Sequence, residues 1–342
     1  MKYVEELRNT IEKIMNEDDR VVFIGEDIID PYGGAFKVSR GLSTKFPERV
    51  MSTPISEAAI TGIGIGLALR GFKPLVEIMF GDFVTLAADQ IINSAAKFSE
   101  MFNNKVKVPL VIRIPSGGYR GYGPTHSQSL ETIFLSTPGL TIISPSLYFS
   151  PGTLLEKAFN LDKTVLFIEH KVLYSQNMLN SEEAISKTEI QICELTESCT
   201  SVVGYCLEEK AEIVIISYGY AASLAVEAAS RLLLENEILV EVNVVSILKP
   251  FMLESLKSSI KKCRRVLIVE EGHLSHGWGA EISARIGEEF FGELDAPIRR
   301  IAAKETIIPS SKLQEINVLP SVEDIVTVAK ELCFFGKNRY GK

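Results

Sequence analysis

Short continuous runs of apolar residues alternate with amphipathic segments along the first half of the chain. Residues 3–16 place Val4, Leu7, Ile11 and Met15 on one face, which predicts an amphipathic helix. Residues 20–25 form an uninterrupted apolar run, which is typical of a buried parallel strand. Similar runs predict strands at residues 73–79, 108–114, 140–145 and 164–169. Strands that alternate with helices indicate an α/β fold with a parallel sheet.

The second half repeats this alternation after a polar segment of weak periodicity. Strand-like runs lie at residues 211–217, 239–245, 265–270 and 298–301, and helical patterns lie at 221–235, 251–261, 277–289 and 322–333. A length of 342 residues also fits about two domains. We therefore predict a first domain at residues 1–174, a linker at 175–203 and a second α/β domain at 204–342.

Composition and charge argue against several classes of protein. The net charge of −8, without a basic block, argues against nucleic acid as a partner. The apolar runs stop well short of the roughly 20 residues that span a bilayer, and the N-terminus lacks the pattern of a signal peptide. The five cysteines show no paired spacing for zinc or disulfides. We predict a cytoplasmic protein with reduced thiols.

A single acidic residue, Glu57, lies in residues 51–71 at the predicted start of a helix rich in small and apolar residues. A lone carboxylate in this position is either a charge that the helix dipole favours or a group that acts on a ligand. Ser56, directly before it, is a candidate N-cap.

The spacing of Gly62, Gly64 and Gly66 resembles part of a dinucleotide fingerprint, but its context does not fit. A fingerprint of that kind needs a strand directly before the first glycine, and the residues before Gly62 already look helical. Glycine inside a helix costs about 1 kcal/mol relative to alanine. The three glycines therefore predict that another backbone packs close to this helix.

Two further groups lie where open α/β sheets commonly bind ligands. Glu26 follows the first predicted strand, and it belongs either to a ligand site at the carboxyl edge of the sheet or to a solvated turn. His126 ends the glycine-rich segment 115–126, whose length indicates a functional loop. This histidine is either structural or presented to a cleft.

His273 and His276 lie beside Glu270 and Glu271 at a strand-to-helix turn. Metal ligation is one interpretation of this cluster, and capping of the following helix is the favoured one.

Residues 82–98 predict a single helix. Its apolar side contains Phe83, Leu86, Ile91 and Ala95, and Asp89 lies on its ordinary surface.

Common phosphate and nucleophile motifs are missing from the sequence. It has no Walker loop, no nucleophile elbow and no zinc-protease motif. A candidate acid and a candidate histidine without a phosphate-holding loop form an incomplete active site, which a partner chain would complete.

A set of short motifs, in order over nearly the whole chain, resembles one known family. They are GED (25–27), GGAF (33–36), TPISE (53–57), DF (82–83), DQIINSAAK (89–97), HSQS (126–129), TPGL (137–140), IEHKVLY (168–174), KPF (249–251), EEGH and GWGAEI (within 270–282) and LPSVEDIV (319–326). They are similar to the β subunits of the thiamine-diphosphate-dependent E1 components of pyruvate, branched-chain 2-oxo acid and acetoin dehydrogenase complexes.

The resemblance implies two transketolase-like domains, of which the first binds the pyrimidine ring of thiamine diphosphate. It also implies an α subunit that holds the diphosphate and a divalent metal, Mg²⁺, in an α2β2 heterotetramer. The small substrate would be a 2-oxo acid such as pyruvate, and the acyl group would pass to the lipoyl group of the E2 acyltransferase. Neither nucleic acid nor a membrane is implied as a partner.

The resemblance also assigns roles to five residues. Glu57 would accept a hydrogen bond at the pyrimidine N1′, and this task needs a sheltered carboxylate. Phe83 would pack against the aminopyrimidine ring. His126 would orient or protonate intermediates and assist transfer to the lipoyl group. Glu26 and Asp89 would belong to an acidic path that links two active sites.

Some positions depart from the family pattern. Leu161, with Asp162 beside it, falls where the family often uses an aspartate for potassium, so the resemblance leaves a potassium site open. Two alternatives also stay open. One is a thiamine-diphosphate enzyme subunit that passes its carbanion to an aldehyde or another acceptor, and the other is an interaction paralogue without turnover.

Overall fold

The computed structural model of the chain describes residues 1–179, 191–195, 200–204 and 211–336. Within these residues, the strands are β1 (Val21–Gly25), β2 (Val50–Ser52), β3 (Lys73–Glu77), β4 (Val111–Ser116), β5 (Thr141–Ile143), β6 (Val165–His170), β7 (Gln191–Leu195), β8 (Thr200–Gly204), β9 (Ile213–Ser217), β10 (Val240–Val245), β11 (Ile247–Lys249), β12 (Val266–His273) and β13 (Arg299–Ala303).

The α-helices of the described residues are α1 (Tyr3–Glu17), α2 (Leu42–Lys45), α3 (Glu57–Leu69), α4 (Phe98–Met101), α5 (Thr132–Leu135), α6 (Pro151–Asn160), α7 (Ala221–Asn236), α8 (Lys257–Cys263), α9 (Trp278–Glu289), α10 (Lys312–Glu315) and α11 (Val322–Phe334). No helix among the described residues is long and apolar enough to cross a membrane.

Two sheets organise these elements and confirm the predicted α/β fold. The first has the order β11-β5-β6-β4-β3-β1-β2 and the second β13-β12-β9-β10-β8-β7. Pairing in the first sheet is parallel except where β11 meets β5, and in the second it is parallel from β13 to β10. The strand β11 comes from the second half of the chain, so the halves share one hydrogen-bonded sheet.

Strands β1, β4, β5 and β6 of the first sheet are buried on both faces, which explains their largely apolar runs, whereas only Val50 of β2 is buried. Phe23 packs on the side of α1 and α6, whereas Ile24, the next residue, packs on the side of α3. Helix α1 covers the first side with buried Leu7, Ile11 and Met15, as its periodicity predicts.

Helix α3 shows how far the interpretation of its glycines is correct. A Cβ on Gly64 would lie 2.7 Å from Val76 Cγ2 of β3, so this position packs closely on side chains of the sheet, and the approach of another backbone stays a prediction. A Cβ on Gly66 would meet no other atom within 4 Å. Close packing at this glycine would need a partner chain, and it therefore stays a prediction. Ser56 takes the N-cap position, but its side chain makes no capping hydrogen bond.

The prediction of one regular helix at residues 82–98 is wrong. A 3-10 segment, Gly81–Ala87, and a π-helical segment, Gln90–Ala95, replace most of it. These windings change the angle between successive side chains, so the apolar face of an ideal α-helix does not apply. Leu86, assigned to that face, is 60% exposed.

Parts of the second half also differ from the predictions. Helical residues near 251–261 divide into a 3-10 turn, Leu253–Leu256, and helix α8. Strands β7 and β8 pair antiparallel in the second sheet, although both begin inside the segment predicted as a linker. The boundaries of the domains at residues 174 and 204 stay predictions.

A buried ion cluster joins three neighbouring strands of the first sheet. Arg113 of β4 donates two hydrogen bonds to Glu169 of β6, at 2.6 and 2.7 Å, and a further one to Glu77 of β3. Tyr174 Oη donates to Glu169 at 2.7 Å. Burial alone would lower the pKa of Arg113, but the two carboxylates raise it well above its ordinary value. The guanidinium is therefore charged and fully paired.

Replacing Arg113 by Met should destabilise the chain strongly, because Glu77 and Glu169 would stay buried without their cation. We expect a loss of about 3–5 kcal/mol in the free energy of unfolding, measured with urea on the full chain. Lys107→Met is the control, since it breaks an ion pair with Asp162 in which both side chains are at least half exposed. Equal losses in the two variants would contradict the expectation.

Candidate active site

Four neighbouring parallel strands of the first sheet end at one edge, in the order β4, β3, β1 and β2. Glu26 follows β1 and Glu57 begins the helix after β2. Phe83 lies in the segment after β3, and His126 lies in the loop after β4. The carboxyl edge of an open parallel sheet is where such folds bind ligands. Four candidates that are distant in sequence therefore lie at the same edge.

Glu57 is sheltered although it lies at a helix start. Its side chain is in the buried class at 4% exposure, whereas Ile55, two residues earlier, is 81% exposed. Burying a carboxylate costs free energy unless a partner compensates for the lost hydration. The positive end of the helix dipole provides only part of this compensation. The geometry therefore fits a group that receives a ligand better than a surface charge.

Glu26 shares this shelter with Glu57. It is 5% exposed, and its Oε1 has no hydrogen-bond partner among the described residues. Burial raises the pKa of Glu26, and the negative charges of Glu57, Asp27 and Glu77 raise it further. A carboxyl group with a raised pKa holds a proton more readily, so the pair of carboxyl groups can accept and donate hydrogen bonds side by side.

The ring of His126 lies among aromatic side chains. Phe80 and Phe83 meet it edge-on, with ring centroids at 4.8 and 5.2 Å. Its Nδ1 lies 3.0 Å from the hydroxyl of Thr125. The structure thus brings Phe83 and His126 into contact. The segment of Phe83 also packs on α3, the helix of Glu57.

Asp89 is the site prediction that the structure does not bring to this group. Its side chain is exposed and accepts hydrogen bonds from Asn93 at 2.8 Å and from Gln90 at 3.2 Å. These contacts are local to its own segment. They agree with the interpretation of Asp89 as ordinary surface.

Three residues around His126 escaped the sequence interpretation. Phe80 contacts both His126 and Phe83, and Asp82 accepts two hydrogen bonds from Gln128 at 3.2 and 2.8 Å. Lys171 is fully buried and donates to the carbonyl oxygen of His126 at 2.5 Å. Burial lowers the pKa of Lys171 to about 8. Asp82 and Lys171 do belong to quoted motifs, but their contacts depend on the fold.

Metal ligation at His273 and His276 is not supported. Both histidines are exposed, and no group of His, Cys, Asp and Glu side chains that could hold a metal ion occurs in the described parts of the chain. Glu270 accepts a hydrogen bond from the Gly279 amide at 2.8 Å, so it caps helix α9, as the favoured interpretation requires.

The question of potassium centres on Leu161 and Asp162. The carboxylate of Asp162 pairs with the Lys107 ammonium at 2.6 Å in an open, partly exposed position. An ammonium group there already neutralises the charge that a potassium ion would meet, so the described contacts do not support an ion site.

Comparison with known proteins assigns both halves to one superfamily. Residues 1–176 match the family model of the transketolase pyrimidine-binding domain, and residues 204–325 match that of the transketolase C-terminal domain. Among solved structures, a chain described as a split-gene transketolase, inactive β4 tetramer, superposes with a TM-score of 0.74 at 19% identity. The match covers 97% of this chain and 98% of that one, and at this identity it establishes the fold alone.

Relatives of known name are more specific. The mitochondrial pyruvate dehydrogenase E1 component subunit beta-1 of Arabidopsis thaliana is 36% identical over 97% of this chain and 89% of its own length. The pyruvate dehydrogenase E1 component subunit beta of Rickettsia conorii is 33% identical over 97% of this chain and 98% of its own length.

The matched domains, and the similarity to these relatives over nearly the full length of the chain, agree with the site described above. Its buried acids, aromatic side chains and histidine lie at one edge of the first sheet. The chain belongs to the transketolase-like family of E1 β subunits, the β subunits of thiamine-diphosphate-dependent 2-oxo acid dehydrogenases.

Proposed function

We propose that the carboxyl edge of the first sheet receives the aminopyrimidine half of thiamine diphosphate, and that an E1 α subunit holds the diphosphate with a divalent metal. The observation that carries this proposal is the sheltered pair of Glu57 and Glu26 beside the aromatic group of Phe83 and His126. A planar heterocycle with ring nitrogens suits such a site, because it offers hydrogen-bonding atoms at its edge and flat faces for aromatic contact.

Thiamine diphosphate, when bound, would supply the carbon nucleophile for decarboxylation of a 2-oxo acid. Glu57 accepts a hydrogen bond at the pyrimidine N1′, in a buried position where such a bond is strong. Burial raises the pKa of Glu26, so this carboxyl group would hold a proton more readily than an exposed glutamate. Phe83 packs against the aminopyrimidine ring and keeps water away from the two carboxyl groups.

His126 acts on the substrate side of the site. Its edge-on contacts with Phe80 and Phe83 orient the ring, and Thr125 bonds to Nδ1. In this orientation, the imidazole holds or delivers a proton as the acyl group passes to the lipoyl group of E2. Asp89 remains a predicted member of an acidic path between paired sites, and its exposed position suits contact with a second subunit better than contact with Glu26.

Pyruvate is the substrate that the names of the relatives favour, and α2β2 is the proposed assembly. A cytoplasmic location also stays a prediction, since relatives include both bacterial and mitochondrial proteins. An aldehyde or another acceptor in place of lipoamide would appear as a different product when the lipoyl protein is left out.

Glu57→Gln should abolish decarboxylation by the reconstituted α/β pair, because an amide of the same size cannot take over the role of the carboxylate at N1′. We expect at least about a 100-fold loss of kcat with 2-oxo acid and thiamine diphosphate saturating. Glu48→Gln, an exposed carboxylate of the same half, is the control. Activity of the Glu57 variant near that of the unmodified pair would refute the assignment.

His126→Asn should impair transfer to the lipoyl protein more than decarboxylation measured with an artificial electron acceptor. The expected loss in the lipoyl-dependent rate is about 100-fold, the usual size of a general acid or base contribution. His276→Asn, at an exposed histidine of the second half, serves for comparison. A uniform loss in both assays would assign His126 to an earlier step, and no loss in either would remove it from the site.

Thiamine diphosphate should bind tightly only when the α partner is present. Calorimetric titration of the full chain alone, with Mg²⁺, should show no saturable heat at micromolar cofactor, whereas the α/β pair should show it. The reason is that the sequence contains no loop to hold the diphosphate. Tight binding by the chain alone would contradict the shared site.

A further inference from the structure

The loop at residues 117–128, called here the His126 loop, passes between the two halves of the chain. Its ends meet where the Gly117 amide donates to the Gln128 carbonyl at 3.1 Å. The first half holds the loop through Lys171, which donates to the His126 carbonyl, and through Asp82, which accepts from Gln128. The Arg120 guanidinium also donates to the Lys171 carbonyl at 3.0 Å, whereas the backbone amides of Gly118 and Gly121 are held from the second half.

Glu271, near the end of β12 in the second half, contacts the start of the His126 loop and Ser129, the residue that follows the loop. Its Oε1 accepts hydrogen bonds from the Gly118 amide at 2.7 Å and from the Ser129 hydroxyl at 3.0 Å. Its Oε2 lies 2.7 Å from Nε2 of His170. Nδ1 of His170 accepts from the Val172 amide at 3.2 Å, so the ring proton lies on Nε2 and points at Glu271. One carboxylate therefore has three donors around it.

These donors also fix the charge of Glu271. Burial would raise the pKa of Glu271, but His170, the Gly118 amide and Ser129 together lower it below its ordinary value. A charged acceptor makes shorter and stronger hydrogen bonds than a neutral one.

A second carboxylate of the same half holds the middle of the loop. Glu315, at the end of α10 and fully buried, accepts from the Gly121 amide at 2.8 Å. Nearby, the hydroxyl of Tyr119 donates to the carbonyl of Pro320 at 2.8 Å.

The fit leaves no space for side chains at the glycines. A Cβ on Gly117 would lie 2.0 Å from Nε2 of His170, and one on Gly118 would lie 2.5 Å from Leu319. The φ of Gly117 is +90°, a region that other residues rarely adopt. The start of the loop is therefore packed closely between His170 of the first half and Leu319 of the second half.

We propose that Glu271 and Glu315 are positioning residues that fix the His126 loop from the second half of the chain and thereby set the place of the His126 ring between Phe80 and Phe83. Neither carboxylate touches the reacting groups. Their importance for catalysis rests on the proposed function of His126, whereas their effect on the loop does not.

Hydrogen–deuterium exchange on the full chain tests the positioning directly. Glu271→Gln replaces a charged acceptor by a neutral amide whose NH2 faces another donor on His170. Glu315→Gln removes the charge that the Gly121 amide meets. We expect exchange of the amides at residues 117–129 to become about ten-fold faster or more in each variant, as the loss of a charge-assisted bond implies.

Glu270→Gln is the matched control. Glu270 is the neighbouring buried carboxylate of the same strand, but it bonds to the Gly279 amide of its own half rather than to the loop. Exchange in the His126 loop should not change in this variant. Unchanged exchange in both test variants would overturn the proposal, and so would an equal increase over the whole chain in all three, because the effect would then be global unfolding.

The NMR signal of the His126 ring gives a second measurement that a general loss of stability would not move. The two phenylalanine rings shift the Hε1 resonance of this histidine, and His126→Asn identifies the signal among four histidines. Glu271→Gln and Glu315→Gln should move it towards the position of a free histidine, and Glu270→Gln should not. A resonance that stays in place in both test variants would show that the ring is positioned without these carboxylates.

Kinetics of the reconstituted α/β pair connect the proposal to function. Glu271→Gln should lower kcat about ten-fold and leave KM for the 2-oxo acid nearly unchanged. If the loop responds as expected while Glu57→Gln retains activity, the proposed function fails and the positioning stands. If neither exchange nor the histidine signal responds, the positioning fails whatever the activity.

Discussion

The parallel direction of β4, β3, β1 and β2 is the constraint on which the site depends. Because these strands are neighbours, the segments that follow them leave the sheet at one edge, and side chains from residues 26 to 126 meet there. Both acids are buried at this edge: Glu57 is the first residue of helix α3, and Glu26 directly follows β1. The first half of the chain thus provides the acids and aromatic groups without help.

The second half has a different task. Its sheet offers no member of the predicted catalytic group, but its buried carboxylates Glu271 and Glu315 meet backbone amides of the loop that carries His126. An ionised carboxylate forms strong hydrogen bonds with backbone amides. Such bonds depend on where the backbone passes and do not require a particular side chain on the donating residue. A loop rich in glycine is in this way held as a fixed support for one functional side chain.

Much of this organisation follows from patterns in the sequence. Continuous apolar runs identified β1 and β9, because a strand buried on both faces needs apolar residues at successive positions. Periodic spacing identified α1 and α11, because a helix buried on one face needs apolar residues only at every third or fourth position. The segment after β3 could not be predicted in the same way. Its 3-10 and π windings contain Phe83 and Ile91, which pack against the core, and a template of 3.6 residues per turn cannot represent them. The contacts of Glu271 escaped prediction for another reason: about 150 residues separate it from Gly118, and nothing local in either segment encodes the pairing.

Strand β11 belongs to the first sheet although it comes from the second half, and this limits how the chain can be divided. Ile247 and Lys249 pair with β5, and the Lys249 ammonium also donates to the carbonyls of Leu135 and Thr137, so an outer strand of the first sheet is supplied by residues far downstream. A first half produced by itself would present β5 as an open edge with unpaired backbone groups, and such edges invite pairing with other chains. The two halves match separate family models, but the strand β11 joins them into one sheet. If the gene were split at the boundary between them, the first half would be expected to aggregate through its open edge.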